Sequence, residues 1–211
     1  ETGKWVVENM KREEWTSGFF AGSLWKMYRI TGDEKWRNAA ADWTADLEPM
    51  SLGASDHDTG FRIFTSYGSG FLLTDNLSYS RTILRGAQTL ATRFNPDIGA
   101  IKSWDWIGNF PVIIDNLMNL EILFWAAEES GSQRLYEIAL SHSETSLEHH
   151  LREDGSSYHI VDFDDNGNVN WKDTRQGYGP ESVWARGQAW AIYGFTMIHR
   201  YTGEQKFLDA A

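Results

Sequence analysis

Three short segments of this 211-residue chain place acids, bases and forked donors where they could handle protons and anions. In Asp56-His57-Asp58-Thr59-Gly60-Phe61, two carboxylates flank an imidazole just ahead of a predicted helix. The proton affinities of both groups can be tuned toward neutral pH, so the segment offers a general acid or base. It offers a structural use as well, because an Asp before a helix commonly caps free backbone N–H groups, and Asp56 and Asp58 are both open to that reading. In Val112-Ile113-Ile114-Asp115-Asn116-Leu117-Met118-Asn119-Leu120, one acid interrupts an apolar run that reads as an inner helix. A carboxylate there is costly unless it is paired, hydrogen-bonded or open to a wet cavity. Burial and a neighbouring carboxylate both raise its pKa, giving a group that holds a proton near neutral pH. Asp115 is therefore the better candidate for acid–base work. The third segment is Arg175-Gln176-Gly177-Tyr178 followed by Trp184-Ala185-Arg186-Gly187-Gln188-Ala189-Trp190. At i, i+4 spacing Trp184 shares a helix face with Gln188, and Arg186 with Trp190, while Gly187 admits close approach to the backbone. A helix start bearing Trp and Arg suits an anionic sugar; the alternative is an Arg186 that snorkels from a core helix into solvent.

The elements that must position these residues read as helices. Only four Pro occur, and apolar residues recur at three- and four-residue spacing with few period-two runs. The pattern predicts helices over about 16–30, 34–47, 60–73, 78–93, 112–129, 133–151 and 182–201, paired as antiparallel hairpins across Thr31-Gly32-Asp33, Thr74-Asp75-Asn76 and Ser130-Gly131-Ser132, with Thr202-Gly203-Glu204 opening a fourth. In three of these turns a Gly ends one helix, a polar residue caps the next, and an aromatic and then an Ala follow, as in Gly32, Trp36 and Ala39. The chain thus repeats a two-helix unit with variable spacing. It ends at Phe207-Leu208-Asp209-Ala210-Ala211, where a helix has barely begun, so further hairpins are expected in a complete protein. Long connections at 49–59, 95–110 and 152–181 exceed what a compact helical domain needs and are expected to serve a site. They carry His57, Asp58, Trp104, Trp106, His159, Trp171 and Gln176.

Composition narrows the ligand. Eleven Trp, eleven Phe and eight Tyr make 14% of the residues, and rings in such numbers line sugar grooves as well as cores. A net charge of −11 with scattered basic residues argues against nucleic acid. The absence of Cys removes disulfides and thiolate metal sites. No apolar stretch approaches the roughly 20 residues of a membrane span. The start, Glu1-Thr2-Gly3-Lys4, lacks a signal-peptide core, so a soluble protein of cytoplasm or periplasm is expected, any leader having been removed. His149 and His150 are adjacent and face different ways, and 162–168 does not fit a calcium loop, so no metal is implied. Gly68-Ser69-Gly70 lies within a helical segment without a preceding strand or following Lys, so no nucleotide cofactor is implied.

In order and spacing, Trp15-Thr16-Ser17-Gly18-Phe19, His57-Asp58-Thr59-Gly60-Phe61, Ile113-Ile114-Asp115-Asn116-Leu117, Asp154-Gly155-Ser156-Ser157-Tyr158-His159 and Gln176-Gly177-Tyr178 with Trp184-Ala185-Arg186-Gly187-Gln188-Ala189-Trp190 resemble the unsaturated glucuronyl hydrolases of glycoside hydrolase family 88. The resemblance implies an all-α, six-hairpin (α/α)6 toroid, of which residues 1–211 would form a single catalytic domain comprising its N-terminal and central part. It implies hydrolysis of di- or oligosaccharides carrying a Δ4,5-unsaturated uronate, glycosaminoglycan type favoured, by protonating C4 and hydrating the vinyl ether, without cofactor. Asp115 then matches the general acid and base and Asp58 the second carboxylate. His57, His159, Gln176 and Arg186 match uronate-binding positions, and Trp15, Phe19, Trp104, Trp184 and Trp190 match stacking walls, with Trp106 competing for the role of Trp104. The related unsaturated rhamnogalacturonyl hydrolases, and a non-catalytic sugar-binding toroid, are the alternatives.

Overall fold

A computed structural model describes residues 11–53 and 55–211; the segment Glu1–Lys4 lies outside the described residues. Helices α1 (Ser17–Thr31) and α2 (Glu34–Ala45) form the first hairpin. Helices α3 (Thr59–Ile63) and α4 (Ser69–Thr74), joined by a π turn over Phe64–Gly68, pair with α5 (Leu77–Ala91). Next come α6 (Asn116–Asn119) and α7 (Glu121–Ser130) with α8 (Gln133–His150), then α9 (Ala185–Thr202) with α10 (Gln205–Ala210). Each of the four hairpins turns through one left-handed residue, at φ 67° for Gly32, 51° for Asp75, 69° for Gly131 and 71° for Gly203. That conformation frees the chain to reverse at once, and the next residue, Asp33, Asn76 or Ser132, accepts a backbone N–H of the following helix. Helices α3, α6, α7 and α9 meet around a core built on Ile63, Leu117, Leu123, Phe124 and Phe195, with α5 and α8 closing it, while α1 packs on α3 and α4 beside a separate cluster of Leu24, Trp25 and Ala40. Each fully buried Leu, Ile or Phe in that core contributes on the order of 2 kcal/mol.

Two small sheets depart from the sequence-based expectation. The pair β1 (Phe94–Asn95) and β2 (Ala100–Ile101) lies within the connection read as a loop, and β3 (Phe110–Ile113), β4 (Ile160–Phe163) and β5 (Val169–Asp173) form an antiparallel sheet in that order. The helix expected over 112–129 begins instead as strand β3, and Asp115 sits at the mouth of α6 rather than inside a helix. Pro111 and the β-branched run Val112-Ile113-Ile114 explain this: such residues pack well on a pleated surface, and four consecutive buried positions from Pro111 mimic a buried helix segment. Strand β4 is hidden in the sequence for a similar reason, since Asp162 interrupts the apolar run yet is itself buried, accepting from Phe110 N–H at 2.9 Å and Asn170 Nδ2 at 3.1 Å.

The sheet register decides which side chains meet at its end. Ile113 pairs with Ile160, and the ladder continues one bond further as Ile114 N–H donates to the His159 carbonyl at 3.0 Å. The side chains of Asp115 and His159 are therefore delivered to the same end of the sheet. A second link ties Asp115 to the segment carrying Asp58. Asn119 Oδ1 accepts Phe61 N–H at 2.6 Å while its Nδ2 donates to the Asp115 carbonyl at 3.3 Å. Gly60 permits this contact, because a Cβ there would lie 2.7 Å from Asn119 Cα and 2.8 Å from its carbonyl oxygen. We expect Gly60→Ala to lower stability by about 1–3 kcal/mol in denaturant titration, since the obstructing atoms are backbone. Gly179→Ala, which meets nothing within 4 Å, should change it by less than about 0.5 kcal/mol.

Candidate active site

A cleft of about 80 Å³ is lined by Trp15, His57, Asp58, Trp104, Ile113, Asp115, His159, Gln176 and Arg186. Larger clefts exist, one of about 330 Å³ beside Phe19, Lys26, Glu121 and Tyr193 and one of about 570 Å³ beside Trp25, Arg37 and Tyr79. The first holds a single carboxylate and no imidazole and the second holds neither, so the chemistry concentrates in the smaller one.

Its two carboxylates are both withdrawn from water, each 13% exposed at the side chain. For Asp115, loss of hydration dominates and raises the pKa from 3.8 to about 6; the nearby Asp58 pushes the same way, against the opposing influence of His57 and Arg186. Asp58 is likewise raised, chiefly by burial. The alternative reading of Asp58 as a helix cap does not hold: it occupies the N-cap position of α3, but its side chain caps nothing. Asp56 does the local backbone work, accepting Asp58 N–H at 2.9 Å and binding Arg62 at 2.8 and 2.9 Å. Burial alone would raise Asp56, but the Arg62 hydrogen bond and charge outweigh it and hold this carboxyl below its usual value.

The imidazoles are oriented by backbone. Arg175 N–H donates to His159 Nδ1 at 3.2 Å, which places the ring proton on Nε2, 3.9 Å from Asp115 Oδ1. Burial depresses the His159 pKa to about 4, so this is a neutral donor facing a carboxyl rather than an ion pair. Neither atom has another hydrogen-bond partner, an arrangement that is costly unless a polar ligand completes it. His57, 2% exposed, donates from Nδ1 to the Ser103 carbonyl at 3.1 Å. Its Nε2 lies 3.1 Å from Asp58 Oδ1, off the line of a hydrogen bond, a contact that is favourable only while a proton sits on one partner.

Walls of indole surround these groups. The Arg186 guanidinium lies 5.3 Å from the ring of Trp15 and 4.4 Å from that of Trp184, and it donates to Gln176 Oε1. Trp184 also stacks on His159 at 4.2 Å. Trp104 lines the cleft, edge-on to both His57 and His159, whereas its competitor Trp106 stands beside it, 58% exposed, beneath Arg175. Of the eleven residues singled out in the sequence, eight line the cleft and Trp184 backs it. Phe19 and Trp190 do not line it. They pack on Phe61, at 5.3 and 5.5 Å, and Phe61 in turn supports Trp15. Sequence reasoning missed that buried ring, together with Ile113 on the cleft floor and the supports Arg62, Ser103 and Asn119. Arg62 was findable, being one helical turn beyond Asp58; Ser103 carried no signal. Among the described residues, no group of three or more His, Cys, Asp or Glu could hold a metal ion.

The family model described as Glycosyl Hydrolase Family 88 matches residues 1–207. This chain belongs to that family. Unsaturated glucuronyl hydrolase from Formosa agariphila is 44% identical over 211 residues, covering 98% of this chain and 53% of that protein. The enzyme of the same name from Bacillus sp. GL1 is 36% identical, covering 100% of this chain and 57% of its own length. Among solved structures, an unsaturated glucuronyl hydrolase specific for heparin superposes with a TM-score of 0.95 at 41% identity, covering 98% of this chain and 56% of that one. The family 88 chain thus spans about half the length of these relatives, and its hairpins match the corresponding part of their (α/α)6 toroid.

Asp115 makes a testable demand on stability. Its folded-state pKa lies above the ordinary value, so between pH 3.8 and about 6 the folded protein binds more protons than the unfolded chain, and stability falls as pH rises through that window. Asp115→Asn removes that cost. It should stabilise the protein by about 1–3 kcal/mol at pH 7.5, and the gain should vanish as the pH is lowered toward 4. Thermal melts of both proteins across this range provide the check, and a gain independent of pH would contradict a buried charge.

Proposed function

We propose that this family 88 chain belongs to a hydrolase that releases the Δ4,5-unsaturated uronate from the non-reducing end of lyase-generated oligosaccharides, of glycosaminoglycan type. One observation carries the reading: a buried carboxyl tuned to about 6, beside a second buried carboxyl and a neutral imidazole, in a cleft walled by indoles. A group with that proton affinity is poised both to give and to take a proton near neutral pH.

The reaction follows from the substrate's C4=C5 vinyl ether. Asp115 transfers its proton to C4, and the electron pair of the double bond forms the new C–H bond. C5 becomes an oxocarbenium centre stabilised by the ring oxygen. Water adds at C5 and returns a proton to the Asp115 carboxylate. The resulting hemiketal opens and expels the remaining saccharide, so the anomeric bond is never attacked directly, and rules drawn from the spacing of two carboxylates in ordinary glycosidases do not apply. Asp58 keeps the proton affinity of Asp115 high through its negative charge. The uronate carboxylate is received by the forked donors of Arg186, aligned by Gln176, and by the free Nε2–H of His159. His57, beside Asp58, also faces the uronate, and Trp15 and Trp104 stack on the sugar ring, with Phe19 and Trp190 supporting Trp15 through Phe61 and Trp184 backing His159. A chain of net charge −11 thereby gathers an anionic substrate at a cation held between two indoles.

Loss of the double-bond absorbance gives a direct assay with the full-length protein. Unsaturated glycosaminoglycan disaccharides are expected to be consumed, whereas hydrolysis of unsaturated rhamnogalacturonan disaccharides alone would overturn the substrate assignment. Asp115→Asn is expected to cut turnover by at least about 100-fold while affinity stays within about tenfold. Retained turnover excludes Asp115 as the proton donor. Because the acid must be protonated, kcat/KM of the wild type should fall about tenfold per pH unit above about 6. His159→Ala should raise KM more than it lowers kcat, and a defect confined to kcat would contradict a binding role.

A further inference from the structure

Arg62 is 3% exposed, and all three nitrogens of its guanidinium donate hydrogen bonds. It forks onto Asp56 at 2.8 and 2.9 Å, donates from Nε to the Glu14 carbonyl at 3.4 Å, and donates from Nη2 to the Glu13 carbonyl. The same Nη2 lies 4.0 Å from Asp58 Oδ2. Three parts of the cleft thus meet at one cation: the turn bearing Asp56 and Asp58, helix α3 on which Arg62 sits, and the backbone that leads directly into Trp15. A buried ion pair adds little net stability compared with apolar packing, so its presence calls for a reason in position or charge.

We propose that Arg62, with Asp56 as its counter-ion, is a positioning residue for this site: it pins the Trp15 wall and sets the electrostatic field in which Asp58 works. The reading rests on Asp58 and Asp115 being the reacting pair's carboxylates. Arg62, one charge at 4.0 Å, favours the ionised form of Asp58, while loss of hydration and the neighbouring Asp56 favour the protonated form. Asp56, bound to the cation through two short bonds, thus offsets it at Asp58. The other charged or titratable groups facing Asp58 are His57 on its own turn and Asp115 from the β3–α6 turn, with Arg186 of α9 beyond Asp115. Trp15 depends on the same cation mechanically. Its indole contacts Phe61 and lies against the Arg186 guanidinium, but the carbonyls of Glu13 and Glu14 are what hold its backbone to α3.

Two substitutions move the field in opposite directions. Asp56→Asn leaves the cation unbalanced and should lower the Asp58 titration midpoint by about one pH unit, whereas Arg62→Gln leaves Asp56 unpaired beside Asp58 and should raise it by about as much. Carboxyl-carbon NMR titration of the full-length protein reads this without reference to activity, so its outcome is separate from whether Asp115→Asn abolishes turnover. In the double variant Asp56→Asn/Arg62→Gln both charges go, and the midpoint should return toward the wild-type value. Arg62→Gln should also raise KM about tenfold with a smaller change in kcat, as expected when a stacking wall loosens. Either single variant that folds decides the electrostatic part, which an Asp58 midpoint within about 0.2 units of wild type would overturn, and an unchanged KM for Arg62→Gln would overturn the pinning of Trp15.

Discussion

The site depends on one constraint, that a carboxyl be kept out of water at the end of a strand that cannot slip. Asp115 lies two residues beyond β3, whose pairing with β4 buries Val112 and Ile113 against Val161 and Ile160. Alternate residues of the two strands face opposite sides of the sheet and are buried on both, so a shift of one residue would exchange the side chains packed on the two faces and displace Asp162 from its partners Phe110 and Asn170. The same register fixes the distance from Asp115 to His159. What raises the Asp115 pKa is chiefly loss of hydration, with the charge of Asp58 adding to it. The helical hairpins supply the rigid ground on which this sheet is mounted, and Asn119 joins the two by bonding both to Phe61 and to Asp115.

The hairpins were legible because their signals are local. A left-handed residue followed by a polar cap ends one helix and begins another whatever lies around it, and Gly32-Asp33, Asp75-Asn76 and Gly131-Ser132 all behave so. The small sheets were not, because their strands are defined by partners far along the chain. Ile160–Phe163 looks like neither an alternating strand nor an amphipathic helix, since all four residues are buried and one of them is an Asp satisfied by Phe110 and Asn170. Asp115 was identified as the chemically meaningful residue for a reason that survives the change of element: an acid in an apolar run is expensive in a strand-to-helix turn as much as within a helix.

The division of labour between Asp56 and Asp58 shows where sequence reasoning stops. Two carboxylates one residue apart offer the same chemistry on paper, and either could cap α3. The fold assigns one to the backbone and to Arg62 and turns the other toward the cleft, and nothing in the local sequence distinguishes them until Arg62 is known to be buried. The aromatic residues divide in the same way. Trp15 and Trp104 line the cleft and Trp184 backs His159, while Phe19, Phe61 and Trp190 form the layer behind Trp15, a distinction of depth that composition does not carry.

Arg186 lies against two indoles that belong to opposite ends of the described chain, Trp15 ahead of α1 and Trp184 ahead of α9. The cleft is in this sense a clasp whose halves lie outside the regular helices, while the large core below is held by α3 to α9 independently of it. Segments of that kind open locally at lower free energy than the domain unfolds. On warming, the clasp is therefore expected to unfasten before the helices melt, taking the cleft with it.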